Sequence, residues 1–348
     1  VPAPRCPSCD AFAFLDSLEC RVCGTELGFH HPSLSFKVAD TTGFEIEGVA
    51  WFPCGNRSWG CNWIVAETDE SGRCFSCRLT RRQPPRSETM AWEKLAVAGV
   101  AKRRLLIQLL QLGLPIVPYD DREGGLGFDL ISSLSNNERV MIGHANGIIT
   151  IDLAETLDDR REALRISLGE PYRTMLGHFR HEIGHYYQKE LVIGDAAWEE
   201  CRALFGDERA SYRDGIARHY KFGAPEGWEA AYISDYATMH PWEDFAECFA
   251  HYLHITGTLQ TAAAAAVVLE ATRVRGTTDH DIRPEEDYAD LGIERMLDDW
   301  KWLSLMFNRV NRAMGQGDLY PFQLPEPVQQ KLAYVHRLVT GVRSRAAT

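Results

Sequence analysis

The chain has 348 residues, 45% apolar and 25% charged, a globular composition that excludes a disordered or fibrous protein and suggests about two domains. Its 37 Lys and Arg stand against 49 Asp and Glu, a formal charge of −12. An acidic body of this kind repels phosphate backbones, which opposes general nucleic-acid binding. Apolar runs such as 105–110 and 262–269 fall far short of the ~20 residues that span a bilayer. No charged, apolar, small-residue leader opens the chain, so the expected setting is cytoplasmic, away from membranes.

Eight of the ten cysteines lie between Cys6 and Cys77. They form two sets, Cys6-x2-Cys9 with Cys20-x2-Cys23, and Cys54-x6-Cys61 with Cys74-x2-Cys77. Paired knuckles of this spacing close a tetrahedral four-thiolate shell around one Zn²⁺, and Pro7 and Gly24 supply knuckle turns. The alternative, a disulfide framework, belongs to oxidising compartments. Four thiolates leave no open coordination position, so both zinc sites are expected to be structural and to supply the module's folding energy. The runs 34–38 and 44–52 suit ribbon hairpins. Arg78, Arg81, Arg82 and Arg86 around Pro84 and Pro85 read as a basic exit linker. A ribbon with arginines could touch nucleic acid, but residues 1–87 carry only 9 basic against 10 acidic residues.

Residues 90–112 have helical periodicity and stop at Gly113 and Pro115. Strand-like runs follow at 127–131, 139–143 and 147–153, with His144 and Asn146 at a turn or lining a cleft. The third run is a candidate sheet edge that an extended substrate could join. Beyond Asp158 the pattern is helical, over 158–168, 171–191, 196–205, 208–221, 241–255, 292–314 and 325–342. The 262–266 alanine run reads as packed helix and the acidic 279–290 as a solvated loop. The predicted fold class is α+β, with a zinc-ribbon region at 1–87 followed at 88–348 by a mostly helical domain with a small sheet.

His181-Glu182-Ile183-Gly184-His185 carries the chemistry. On a helix the two histidines share one face, where both can bind a single Zn²⁺, with Glu182 beside them to take a proton from water. A catalytic zinc needs a third protein ligand. A histidine ten residues after the first would serve, but Leu191 stands there. The alternative is a carboxylate from a later helix, opened by Pro241, on which Glu243 and Glu247 share a face. Their like charges repel unless a cation or donor separates them, as Zn²⁺ on one and a ligand-histidine N–H on the other would.

Several runs resemble bacterial zinc-binding metallopeptidases with an N-terminal zinc ribbon. They are Phe52-Pro53-Cys54-Gly55-Asn56-Arg57, Gly60-Cys61-Asn62-Trp63, Ala101-Lys102-Arg103-Arg104-Leu105, Gly143-His144-Ala145-Asn146-Gly147-Ile148-Ile149-Thr150, Glu170-Pro171-Tyr172-Arg173-Thr174, the stretch from His178 to Tyr187, and that from His240 to Tyr252. The resemblance covers most of the chain to about residue 270 and implies a zincin without naming a substrate. The stretch from Tyr236 to Glu247 is similar to the third-ligand helix of gluzincins of the anthrax lethal factor type. There a tyrosine precedes the ligand glutamate by seven residues and a second glutamate follows it by four. The likeness implies Glu243 as zinc ligand, Glu247 as hydrogen-bonding partner of a zinc histidine, and Tyr236 as donor to the oxyanion.

The sequence thus predicts a zinc-dependent metallopeptidase holding one catalytic zinc on His181, His185 and Glu243 and two structural zincs on the cysteines. Glu182 is the expected general base, and the substrate is a peptide, protein or isopeptide. A catalytically silent zincin-fold adaptor that uses its ribbon for recognition is the alternative, and oligomeric state is left open. His178 reads as a packed or ligand-supporting histidine, His251 as core, Asp235 and Asp244 as possible partners of the site, and Cys201 and Cys248 as buried thiols.

Overall fold

A computed structural model describes residues 4–133, 142–153, 174–274 and 278–346. The chain divides into two compact units, Val1–Arg161 and Glu162–Thr348. As expected it is α+β, and no helix among the described residues is long and apolar enough to cross a membrane.

In the first unit, short bridges between Arg5 and Phe12 and between Glu19 and Glu26 close the loops that carry Cys6, Cys9, Cys20 and Cys23. Strands β1 (Leu27–His30) and β2 (Ser35–Val38) form an antiparallel pair. The run 44–52 splits into β3 (Phe44–Ile46) and β4 (Val49–Pro53) at Glu47 and Gly48, both with positive φ, the geometry of a tight hairpin turn. Strand β5 (Ile64–Ala66) completes that antiparallel sheet in the order β3-β4-β5.

The helix α1 (Phe75–Arg78) leads into strand β6 (Thr80–Arg82), where a linker was expected. The correction is electrostatic. Arg81 grips Asp129 through two hydrogen bonds of 2.9 and 2.6 Å, and Arg78 reaches Asp69 at 3.3 Å. These charges are therefore tied to carboxylates rather than presented by a free segment. Helix α2 (Thr89–Gln111) runs close to its predicted bounds and buries Ala98, Leu105, Leu106 and Leu109. A second sheet holds β6, β7 (Gly127–Ile131), β8 (Gly143–Ala145) and β9 (Ile148–Asp152) in the order β6-β7-β9-β8. All five residues of β7 are buried, as suits a central parallel strand. Strand β9 is paired on both sides, so the expected free edge at 147–153 does not exist. Asn146 and Gly147, both left-handed, turn β8 into β9, and the Gly147 N–H donates to His144 Nε2 at 3.1 Å, which gives His144 and Asn146 a turn role. Of the expected strand 139–143, only the last two residues are described, and the expected helix 158–168 lies outside the described residues.

The second unit is helical: α3 (Met175–Leu191), α4 (Asp195–Phe205), α5 (Tyr212–Phe222), α6 (Pro241–Ala264), α7 (Gly292–Ala313) and α8 (Glu326–Ala346). Pro171 lies outside the described residues, and α3 starts after Thr174, whose side chain caps it by accepting from the Gly177 N–H at 3.0 Å. α6 runs nine residues past its expected end at 255 and takes in Ala262 to Ala264. Helices α3 and α6 pack closely around Phe179, Ile183, Tyr187, Phe245 and Phe249, with the Tyr187 and Phe249 rings stacked at 5.5 Å. α8 is fastened to α6 by a buried ion pair, Lys331 Nζ to Asp244 Oδ2 at 2.6 Å. The acidic stretch 279–290 is an irregular loop with Asp279, Glu285, Asp287 and Asp290 exposed, as expected, but it is anchored to the core. Ile282 and Tyr288 are buried, Ile282 bridges to Leu269, and the Tyr288 hydroxyl donates to Asp299.

Candidate metal centre

The crossing of α3 and α6 is set by a glycine. A Cβ on Gly184 would lie 2.8 Å from Ala246 Cα and 3.0 Å from its carbonyl oxygen, a separation no side chain tolerates. Gly184 and Ala246 thus let the two backbones touch, and this brings Glu243 and Glu247 over His181 and His185. His240 caps α6 by accepting the Trp242 N–H on Nδ1 at 3.1 Å, and Pro241 fills the first turn, where its missing N–H costs nothing.

Around that crossing, His181 Nε2 lies 2.9 Å and His185 Nε2 3.4 Å from Glu243 Oε2. One donor atom from each of the three residues falls within 4.8 Å of the others. A tetrahedral zinc with ligands at 2.0–2.1 Å has donor–donor edges of about 3.3 Å, so the spacing fits the ion. The charge pattern fits as well. Burial opposes a proton on His181, yet Glu243 and Glu247 hold its pKa well above the ordinary value. Burial likewise opposes charge on Glu243, and His185 with His181 holds that carboxyl well below its usual range. The cluster is arranged to hold a cation.

The surrounding groups orient these donors. His181 Nδ1 donates to Glu247 Oε1 at 2.6 Å, which turns Nε2 toward Glu243, and Ser234 Oγ donates to the other oxygen of Glu247 at 2.6 Å. His178 Nε2 donates to Glu182 Oε1 at 3.2 Å. Burial pushes the Glu182 carboxyl up, but His178 and the charges of His181 and His185 bring it down to about 2, so it is a carboxylate at neutral pH. Its Oε2 is buried and has no hydrogen-bond partner among the described residues. The Tyr236 ring lies 5.6 Å from that of His181, and burial, reinforced by Glu243, pushes its phenol well up, so it stays protonated and able to donate.

The structure thus brings together His181, Glu182, His185, Tyr236, Glu243 and Glu247. It keeps other candidates apart. Asp235 pairs with His219 at 3.2 Å, Asp244 with Lys331, and His251 is buried with Nδ1 2.8 Å from the Tyr320 hydroxyl. Cys201 and Cys248 are buried free thiols. Tyr212, which the sequence gave no reason to select, donates to Glu243 Oε1 at 2.7 Å.

In the first unit the eight cysteines gather into the two expected sets. Sulfurs lie 3.6 Å apart in the pairs Cys6–Cys23 and Cys9–Cys20, 3.5 Å in Cys61–Cys74 and 3.7 Å in Cys61–Cys77. Disulfide sulfurs would be about 2.05 Å apart, whereas a zinc tetrathiolate has edges of about 3.8 Å. The first set is half exposed, with Cys9 and Cys23 at the surface, and the second is wholly buried.

A family model described as "Putative zinc-binding metallo-peptidase" matches residues 89–338, and a zinc-ribbon domain model matches residues 4–88. Similar proteins, each titled only as uncharacterized, occur in Mycobacterium bovis and in two strains of Mycobacterium tuberculosis. They are 42% identical over 342 residues, which cover 97% of this chain and 95% of theirs. No solved structure matches the chain at a significant level.

Proposed function

The chain belongs to this metallo-peptidase family, and from that premise we propose that it hydrolyses a peptide or isopeptide bond at the crossing of α3 and α6, with Glu182 as general base. The observation that carries the reading is the buried Oε2 of Glu182, unpartnered among the described residues, beside a set of three metal-type donors.

His181, His185 and Glu243 would hold the zinc. When bound, zinc polarises the scissile carbonyl and lowers the pKa of an attacking water to about 7. Glu182 accepts that water's proton on Oε2 and delivers it to the leaving nitrogen. His178 keeps Oε1 occupied and so fixes which oxygen works. Tyr236 donates to the carbonyl oxygen as it gains charge. Glu247 holds the tautomer of His181. A silent adaptor would have no use for a buried carboxylate oxygen without a partner, since leaving one unmatched costs on the order of 1–3 kcal/mol or more.

We assign structural zincs to the two cysteine sets, giving three in all, because four thiolates complete a tetrahedron. The ribbon and peptidase models meet at residues 88 and 89, which supports a functional division into 1–87 and 88–348. All ten cysteines are free of disulfides, which suits a reducing compartment and supports a cytoplasmic location.

The test is turnover of a peptide library by the full chain. Glu182→Gln should lose roughly 10²–10⁴-fold in rate with its zinc retained. Full activity in that variant would refute the mechanism.

A further inference from the structure

We infer that Tyr212 is a positioning residue that makes Glu243 a one-oxygen metal ligand and so keeps a coordination position open for water. The inference rests on the proposed zinc site and goes beyond it, because nothing in the HExxH motif or the third-ligand helix specifies this residue.

Glu243 is almost fully buried and its two oxygens face different partners. Oε2 lies 2.9 Å from His181 Nε2 and 3.4 Å from His185 Nε2, on the metal side. Oε1 accepts the Tyr212 hydroxyl at 2.7 Å. A carboxylate whose second oxygen is held by a donor binds an ion through the first alone. With both oxygens free it can chelate, and chelation fills the place a substrate water needs.

The residues around Tyr212 hold it in this role. Ser211 caps α5 by accepting the Asp214 N–H, so Tyr212 is the first residue of the helix. His240 accepts the Trp242 N–H on Nδ1, and its Nε2–H therefore donates to the Ala210 carbonyl at 3.1 Å. One imidazole thus ties the turn before Tyr212 to the start of α6, two residues before Glu243 leaves that helix. Arg218 adds a bond to the Thr238 carbonyl at 2.8 Å. Gly215 lets α5 approach so closely that a Cβ there would lie 2.8 Å from the Met239 carbonyl oxygen. The Tyr212 ring packs edge-on to His240 at 5.3 Å and Trp242 at 6.1 Å.

The test uses Co²⁺ added to full-length protein after dialysis against a chelator, with His181→Ala as the blank that isolates absorption from this site. Wild type should take up one Co²⁺ more than His181→Ala. Tyr212→Phe should bind that Co²⁺ about tenfold or more weakly, and its visible band should lose intensity as the second carboxylate oxygen joins the metal. Tyr220→Phe, which removes an exposed hydroxyl from the same helix, should change neither reading. Wild-type affinity and an unchanged band in Tyr212→Phe would overturn the inference while leaving the metal site standing. No additional Co²⁺ in wild type over His181→Ala would overturn the site itself, and the inference with it.

Discussion

In the Cys54, Cys61, Cys74 and Cys77 set, all four donors are buried, and the Cys74 N–H points at Cys54 Sγ at 3.3 Å. Any ion there is wrapped on every side. At the α3–α6 crossing, the two histidine nitrogens sit 2.9 and 3.4 Å from one Glu243 oxygen and share their surroundings with Glu182, Tyr236 and Tyr212, none of which is needed to complete the donor set. Both regions gather donors from separate stretches of chain, yet one offers four donors while the other offers three, beside a carboxylate and two phenols. The difference teaches that donor number, more than donor spacing, separates an ion that holds a fold from one that can do chemistry. It also separates how each region should respond to damage.

The largest effect is expected in the closed shell. Cys74→Ser should remove metal-linked folding free energy on the order of 10 kcal/mol, read as loss of one zinc and of protease resistance in residues 4–88. A variant that kept its resistance would show that thiolate ligation is not what folds this region. The open site should lose less. Gly184→Ala drives a Cβ into the backbone of Ala246, and an overpacked contact costs about 1–3 kcal/mol. It should lower the unfolding midpoint and shed the histidine-bound zinc before the cysteine-bound ions. An unchanged midpoint and zinc content would mean that close helix contact does not assemble the site.

The smallest effect is a matter of pH. His31 is stacked between Trp63 at 5.8 Å and Phe75 at 5.0 Å. Burial, with a smaller contribution from His30, lowers its pKa to about 4, below the ~6.5 of an unfolded histidine. The unfolded chain therefore binds more protons between these values. Stability from the neutral ring is complete above pH ~6.5 and is lost as pH falls toward 4. His31→Phe should flatten the decline of the denaturation midpoint between pH 7 and pH 5 by at most one proton's slope. An identical decline in both proteins would remove His31 from the account.

What the sequence made legible follows the same division. The cysteine sets and the HExxH helix were readable because short, fixed spacings force their donors together, whatever the rest of the chain does. Glu243 and Glu247 were readable as a pair on one helix face, and the resemblance implied a separate role for each, but the groups around them, Ser234, Tyr212 and the Gly184–Ala246 approach, were not readable. Tyr212 escaped because its place depends on His240 joining a carbonyl thirty residues earlier. Strand β6 was hidden because Asp129, the carboxylate that ties its arginines, lies far along the chain. The last turns of α6 follow Gly257 and several threonines, which weaken a helical pattern, yet Thr258 and Thr261 bond back to the carbonyls of His254 and Gly257 and the helix continues.

The most direct test of the central claim, that His181 belongs to an open metal site distinct from two closed ones, is the zinc content of full-length protein purified without added metal, compared with that of His181→Ala. The account predicts about three zinc ions per chain, falling by one in the variant while the cysteine sites keep theirs. Equal zinc content in the two proteins would contradict it.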